Sequence, residues 1–471
     1  MNLKKISQFA FGPICSAALG FIILPITTWY FSIEDIGRVA MLQVTVSLCT
    51  TIFSFSMHQA YVREYYEAAS KTLLLKAAIT PGILLIFITL IVLFFLPWTL
   101  SEIVFGIRSS YLTTVLIVAI LAAYVIHFLT HVLRMEERGL EFSASQIMPK
   151  IILLIGIFLI VNFNGNKDTE SLITINVCSI IVTAVFFMLV TKSAWFGNFK
   201  DKLDIVEIIK MLRFSLPLLL GSLCFWGLTH IDRYFLRIFN GYEELGLYAV
   251  TASFGGAVAL LSTVFSNLWH PVVYKWAAKG KPLSAYEAMI ERMTVFVAVI
   301  WSFFGITSWV LVYFIPPKYA QMEYLILAYI AYPIFYMLSE TTVVGVGISR
   351  KTKYIFLASL LALMVNVVLN YILIPNYGAS GASIATLISF LIFFVVRTEV
   401  SVLAWQSPKR FKTYLTMLLY SALSLTFIIK KENFSDLKFL WIIMLFAIVI
   451  IFYKRIKFDI NLLRNHFRIF Q

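Results

Sequence analysis

The chain has 471 residues, 61% of them hydrophobic and only 13% charged. Soluble domains carry about 25% charged residues, so this composition excludes a soluble protein and places the chain in a membrane. The formal charge is +14, but the basic residues are scattered over many short loops, which excludes a nucleic-acid-binding patch.

Crossing the hydrocarbon core takes about 20 apolar residues. In chain order the hydropathy predicts fourteen helices, over 7–30, 38–60, 73–97, 112–134, 143–163, 171–191, 211–238, 246–274, 287–314, 323–347, 353–375, 380–404, 412–429 and 437–455. The first follows "MNLKKISQF". Its apolar run is longer than a signal-peptide core and no A-x-A-like site follows, so it reads as a retained span. The connections are short. The longest, 192–210, is amphipathic and reads as a cytoplasmic surface segment. Cys15, Cys49, Cys178 and Cys224 all fall in apolar runs and read as small buried hydrophobes, not as a disulfide framework or metal site.

Lys and Arg are unevenly divided between alternate loops. Lys4, Lys5, Arg63, Arg138, Lys200, Lys281, Lys353, Lys409 and Lys457 are among those on one side; Arg38, Arg108, Lys167, Lys318, Lys430, Lys431 and Lys438 make up the other. The bias is about threefold or more and predicts both termini in the cytoplasm.

Three segment pairs recur at an offset of about 209–212 residues. "FSIEDIGRVAMLQVTVSL" (31–48) resembles "FNGYEELGLYAVTASF" (239–254). "MHQAYVREYYEAA" (57–69) resembles "WHPVVYKWAA" (269–278), and "ERGLEFSASQ" (137–146) resembles "SRKTKYIFLAS" (349–359). Six spans per repeat means that both halves keep one orientation, a parallel duplication. The expected fold is therefore all-α and integral to the membrane. The expected domains are a first lobe at 1–191, the linker at 192–210, a second lobe at 211–404, and two further helices with a basic cytoplasmic tail at 405–471.

Several spans carry polar stripes. Trp226, His230, Arg233 and Arg237 share one helical face, with Asp232 beside them. Tyr124, His127, His131 and Arg134 recur along the fourth span, and Tyr329, Tyr332, Tyr336 and Glu340 along its repeat mate, the tenth. Lys150 follows Pro149 in the fifth, Arg292 begins the ninth, and Arg397 and Glu399 lie near the inner end of the twelfth. An Asp or Arg at mid-depth costs roughly 2.5–3.5 kcal/mol on insertion scales, so such residues line a substrate or ion pathway or pair between helices. Arg134, Arg292 and Arg397 also suit snorkelling to the headgroups, and the aromatic residues suit helix packing. The excess of cations favours an anionic substrate, and Arg forks suit phosphate oxygens. Pro13 and Pro25 in the first span and Pro217 in the seventh are hinge candidates, with a static kink as the alternative.

Three blocks carry a family resemblance: "GFIILPITTWYFSIEDIGRVAML", "LRFSLPLLLGSLCFWGLTHIDRYFLRIFNGYEELGLYAV" and "YILIPNYGASGASIATLIS". They hold Pro217, Asp232-Arg233, Gly246-x-Tyr248, and the run Pro375, Gly378, Gly381, Ala382. With them the chain resembles the Wzx-type O-antigen flippases, the polysaccharide-transporter branch of the multidrug/oligosaccharidyl-lipid/polysaccharide exporter superfamily. The resemblance implies a V-shaped transporter of two six-helix lobes in the bacterial inner membrane. It implies passage of an undecaprenyl-diphosphate-linked oligosaccharide from the inner to the outer leaflet by alternating access, with membrane lipid, a glycan polymerase and a chain-length regulator as partners. Arg63, His127, His131, Arg134, Lys150, Arg292 and Arg397 are the expected cations for the diphosphate. His230, Asp232, Arg233 and Glu340 are the remaining cavity candidates. No Walker A pattern is present, so neither a nucleotide nor another cofactor is expected, and H+ or Na+ is the candidate coupling ion. A drug/cation antiporter of the same fold would want an acidic cavity. A glycan polymerase or ligase would want a larger outer loop than the 5–15 residues found here, and a structural scaffold would not need these charges.

Overall fold

The computed structural model describes residues 3–95, 97–163, 165–196, 204–349, 351, 353–430 and 437–459, with side chains at residue 8 and from residue 11 onward. Every regular element among them is helical. In chain order they are α1 (Leu3–Tyr30), α2 (Ile33–Phe53), α3 (Met57–Glu64), α4 (Lys71–Phe94), α5 (Leu100–Phe105), α6 (Ser110–Met135), α7 (Gly139–Asn162), α8 (Thr169–Val190), α9 (Lys192–Trp195) and α10 (Ile205–Ala278). There follow α11 (Leu283–Leu311), α12 (Met322–Tyr329), α13 (Ala331–Thr342), α14 (Val344–Ile348), α15 (Lys353–Ala404), α16 (Phe411–Ile429), α17 (Phe439–Ile451) and α18 (Tyr453–Asp459).

Eleven of these helical stretches are long and apolar enough to cross a membrane. Two are too long to be one span. α10 has 74 residues and α15 has 52, or about 110 Å and about 80 Å at 1.5 Å per residue, against a core of about 30 Å. Each is broken by a glycine in a conformation that L residues avoid: Gly241 at φ 83° and Gly378 at φ 51°. α17 and α18 are a bent pair, 73° apart. Taking each long helix as two spans and the bent pair as one gives fourteen among the described residues, the number that the hydropathy predicts. The tenth predicted span is divided into α12, α13 and α14. The expected surface segment is seen only at its ends, as the single turn α9 and the start of α10. Residues 197–203 and the tail beyond 459 lie outside the described residues.

The chain divides into two compact units, Met1–Ala249 and Val250–Gln471, so the first arm of α10 groups with the first unit. In the first unit the helix starts are set by polar caps. Ser32 and Asp35 form a capping box at α2, and Ser109 and Asp168 cap α6 and α8. Such caps satisfy the free N–H groups of a first turn. α1 and α7 cross where the Gly12 N–H donates to Ser143 Oγ at 3.0 Å. α7 is the most lipid-like helix: its apolar window is 11% buried, against 78% for Met322–Thr342, which runs through the interior of the second unit.

The most repeated motif marks a close crossing. A Cβ on Gly37 would collide with the backbone carbonyl of Tyr242 and crowd Gly246, and a Cβ on Gly246 would collide with the carbonyl of Ile33. The offset of 209 relates Ile33 to Tyr242 and Gly37 to Gly246. Residue 33 meets 246 while 37 meets 242, so the contact is reciprocal, as across a two-fold axis. The two copies of the acidic-pair–apolar–glycine motif thus pack on each other, and glycine is needed in both because backbone meets backbone.

No disulfide joins the cysteines. Cys15, Cys49 and Cys224 are half-buried and Cys178 is exposed, so the expectation of full burial is corrected. On an apolar helix surface a thiol needs no shielding from lipid.

Candidate functional site

The first unit gathers three histidines. α6 places His127 and His131 four residues apart on one face. The third, His58, is delivered by a break after α2, where Phe55 and Ser56 both take left-handed backbone conformations (φ 46° and 55°). Two successive non-glycine residues there are costly, about 1–3 kcal/mol each, and persist only where the surrounding structure imposes them. His127 Nε2 lies 3.1 Å from His58 Nδ1. The His58 ring stacks on His131 with centroids 4.7 Å apart, and His127 and His131 are 5.2 Å apart. Arg134, one turn beyond His131, is exposed. Arg63, on α3, lies over the Phe214 ring at 4.4 Å and 3.7 Å from Glu64, whose other oxygen is 3.5 Å from Lys210. Tyr124, on the same stripe, is a packing residue: it is 2% exposed and donates to the Ile79 carbonyl at 2.8 Å.

Lys150 stands twelfth of the 24 residues of α7, half-buried, with no hydrogen-bond or ion-pair partner among the described residues. Its four-carbon stem reaches some way toward water, but an ammonium at mid-helix is the kind of cost that function retains.

The Asp-Arg…Gly-x-Tyr motif folds into one local structure around the kink at Gly241. Asp232 is 2% exposed; its carboxylate accepts from the Tyr248 hydroxyl, and from the Arg233 N–H at 3.0 Å. The Arg233 guanidinium lies 6.0 Å from the centre of the Tyr248 ring and donates to the Thr229 carbonyl at 3.4 Å. His230 stacks on Trp226, whose Nε1 donates to Ser47 Oγ of α2 at 3.1 Å. Arg237 donates to the Tyr242 hydroxyl at 2.9 Å. The polar face seen in the sequence is therefore spent largely on holding the two arms of α10 and α2 together.

The second unit has its own cluster. Glu340 on α13 and Arg397 on α15 form a buried ion pair at 2.9 Å, with side chains 4% and 7% exposed. Arg397 also donates to Ser339 Oγ at 2.7 Å. His270 Nε2 is 2.8 Å from the other Glu340 oxygen. Snorkelling is thus corrected for Arg397: a carboxylate supplied by the neighbouring helix holds it inside the protein. Arg292 is also engaged. Its fork meets both oxygens of Asp459 at 2.6 and 2.8 Å, while Arg455 meets Glu291 at 2.8 Å, so α18 is clamped to the start of α11. Glu399 takes a bidentate pair from Arg410 at 2.6 and 2.7 Å.

Pro13, Pro25 and Pro217 lie inside continuous helix. The sharp turns of the backbone fall at Gly241, Gly378 and the pair Phe55–Ser56.

Two residues escaped the sequence reading, His58 and His270. The duplication holds the signal for both. They are repeat mates at offset 212, inside the paired segments "MHQ" and "WHP". Each half sets a histidine from its second span against a polar residue of its fourth: His58 on His131 in one, His270 on Glu340 in the other. The second half adds Arg397, paired with Glu340.

Fourteen spans, two glycine-broken long helices and a buried charge pair define a multi-pass membrane protein. Solved structures agree on the fold. The lipid II flippase MurJ, in an inward closed conformation, superposes with a TM-score of 0.69 over 97% of this chain and 100% of that one, at 16% identity. An inward-facing multidrug resistance MATE family transporter of the MOP superfamily gives 0.57 over 82% and 94%, at 12% identity. The chain belongs to the polysaccharide biosynthesis protein family, whose model matches residues 3–275. An uncharacterised membrane protein of Methanocaldococcus jannaschii is 26% identical over 275 residues, which is 54% of this chain and 61% of that relative's length.

Proposed function

We propose that the protein is a flippase that carries an undecaprenyl-diphosphate-linked oligosaccharide repeat unit, of the O-antigen type, from the cytoplasmic to the periplasmic leaflet of the bacterial inner membrane. The observation that carries this reading is membership of the polysaccharide biosynthesis family in a chain with the MOP transporter fold. The intramembrane charge supports it. Lys150 has no polar partner among the described residues and Arg134 is exposed. A lipid diphosphate needs cations of this kind to leave the headgroup layer, and Arg63 adds to them. Glu340, Arg397, Arg292 and Asp232 are engaged within the protein, so in this reading they hold helices and are released only as the transporter changes state. The polyprenyl tail stays in lipid while the headgroup crosses by alternating access between lobes at 1–191 and 211–404. Both termini are cytoplasmic, the work is transport and not catalysis, and a glycan polymerase and a chain-length regulator take up the product.

Deleting the gene in its host and restoring it on a plasmid tests the proposal. The expected result is loss of surface polysaccharide, with diphosphate-linked repeat units accumulating on the inner leaflet by mass spectrometry of the carrier lipid. Normal surface glycan and carrier lipid, with raised drug sensitivity, would sink it in favour of a small-molecule exporter.

A further inference from the structure

The three histidines of the first unit are more than a packing cluster. One ring nitrogen from each of His58, His127 and His131 lies within 4.8 Å of the other two. Tetrahedral zinc with Zn–N bonds of about 2.0–2.1 Å sets its nitrogens about 3.3 Å apart. The closest pair here, at 3.1 Å, already has that spacing, and imidazole rotations cover the rest. His127 and His131 are related by i, i+4, the spacing at which one helix face offers two imidazoles to one ion. The third ligand comes from a different helix, across a strained break, as a preorganised site requires.

Hydrogen bonding alone does not account for the cluster. Three neutral imidazoles carry three N–H groups and three bare nitrogens. One donor–acceptor contact, His58 to His127, is made within the group. The Nδ1 of His131 is buried with no partner. A buried ring nitrogen left without a partner costs about 1–3 kcal/mol, and in the tautomer that leaves it bare an ion would remove that cost. The repeat mate strengthens the point. Where the second unit sets His270 against a carboxylate and an arginine, the first sets imidazole on imidazole, with no carboxylate in ion-pair contact with the three rings among the described residues. A neutral, nitrogen-only donor set selects borderline transition ions over Mg2+, Ca2+ or Na+.

We infer that His58, His127 and His131 form a three-histidine site for a divalent transition metal ion of the zinc class, with the fourth position open to water or a phosphate oxygen. The bound ion ties α3 and the break behind it to α6, fixing the end of the second span against the fourth. This holds whatever the chain transports.

The test uses the full chain, purified in detergent without a histidine tag, stripped with chelator and desalted. Zinc titrated by calorimetry, with metal counted by mass spectrometry, is expected to bind at one ion per chain. His58→Asn, His127→Asn and His131→Asn should each weaken binding at least tenfold, and the triple variant should lose it. His230→Asn and His270→Asn should leave it unchanged. Cobalt added to the wild-type chain should give the intense visible absorption of a tetrahedral nitrogen-ligated ion, displaced by one equivalent of zinc. Because that spectrum is read on the wild type, it decides the matter even where a variant fails to fold. No stoichiometric zinc and no such spectrum on monodisperse wild type would overturn the inference, as would zinc binding that survives in the triple variant.

Discussion

Glu340 and Arg397 show what a buried charge does in this chain. Each is almost fully enclosed, and each is the other's main electrostatic partner. Removing one leaves the other buried and unpaired, which costs about 3–5 kcal/mol, whereas replacing both with apolar residues of similar volume is close to neutral. We therefore expect Glu340→Ala to lower the melting temperature in detergent markedly and Glu340→Leu with Arg397→Met to recover most of the loss. If the double variant melts as low as the single one, the pair is not the stabilising unit. Asp232 and Arg233 make a different prediction. Asp232→Ala and Arg233→Ala should both abolish complementation. Asp232→Ala should also reduce folded protein, because the Tyr248 hydroxyl then loses the carboxylate that accepts from it. Surface glycan and membrane protein level, measured together, separate loss of transport from loss of fold. The stripe of polar residues was legible in the sequence because helical spacing put its members on one face. Their partners were not, because the pairs Glu340–Arg397 and Arg292–Asp459 join residues 57 and 167 positions apart. His58 was overlooked for a related reason: nothing local announces that the chain breaks at Phe55 and Ser56, neither of them glycine or proline.

At the scale of elements, the existence and order of the spans followed from hydropathy, while the caps at Ser32, Ser109 and Asp168 came with the structure. The breaks within the long helices did not follow from hydropathy either. Prolines drew attention because they lack an N–H, yet a span tolerates them where neighbours satisfy the freed carbonyl. The two longest helices instead break at glycines that reach positive φ. Glycine also matters where helices touch. At the Gly37–Gly246 crossing no side chain fits, so Gly37→Val and Gly246→Val should each destabilise by about 1–3 kcal/mol or push the crossing apart. Gly20, with nothing within 4 Å of an added Cβ, is the control. Gly20→Ala should stabilise α1 by about 0.5–1 kcal/mol. Thermal melts of the three variants check both statements; equal effects at all three positions would refute the close-packing account.

At the scale of the whole molecule the decisive property is orientation, since the proposed flippase would work between two unlike leaflets. The count of spans and the bias of Lys and Arg follow from the order of residues along the chain, which is why they were legible without any structure. The assignment of loops to compartments rests on that bias, and α11 offers a clean test of it. It is a single helix, Leu283–Leu311, with exposed loops at both ends that hold Lys281 on one side and Lys318 on the other. In a chain with Cys15, Cys49, Cys178 and Cys224 replaced by serine or alanine, Lys281→Cys and Lys318→Cys put one thiol in each loop. The positive-inside rule predicts that a membrane-impermeant maleimide reaches residue 318 from the periplasm, with the outer membrane opened, and reaches residue 281 only after the inner membrane is breached. Labelling in the reverse order would invert the chain and with it the direction of transport. Labelling of both from one side would mean that α11 does not cross, and the even count of spans, on which the parallel duplication rests, would fail with it.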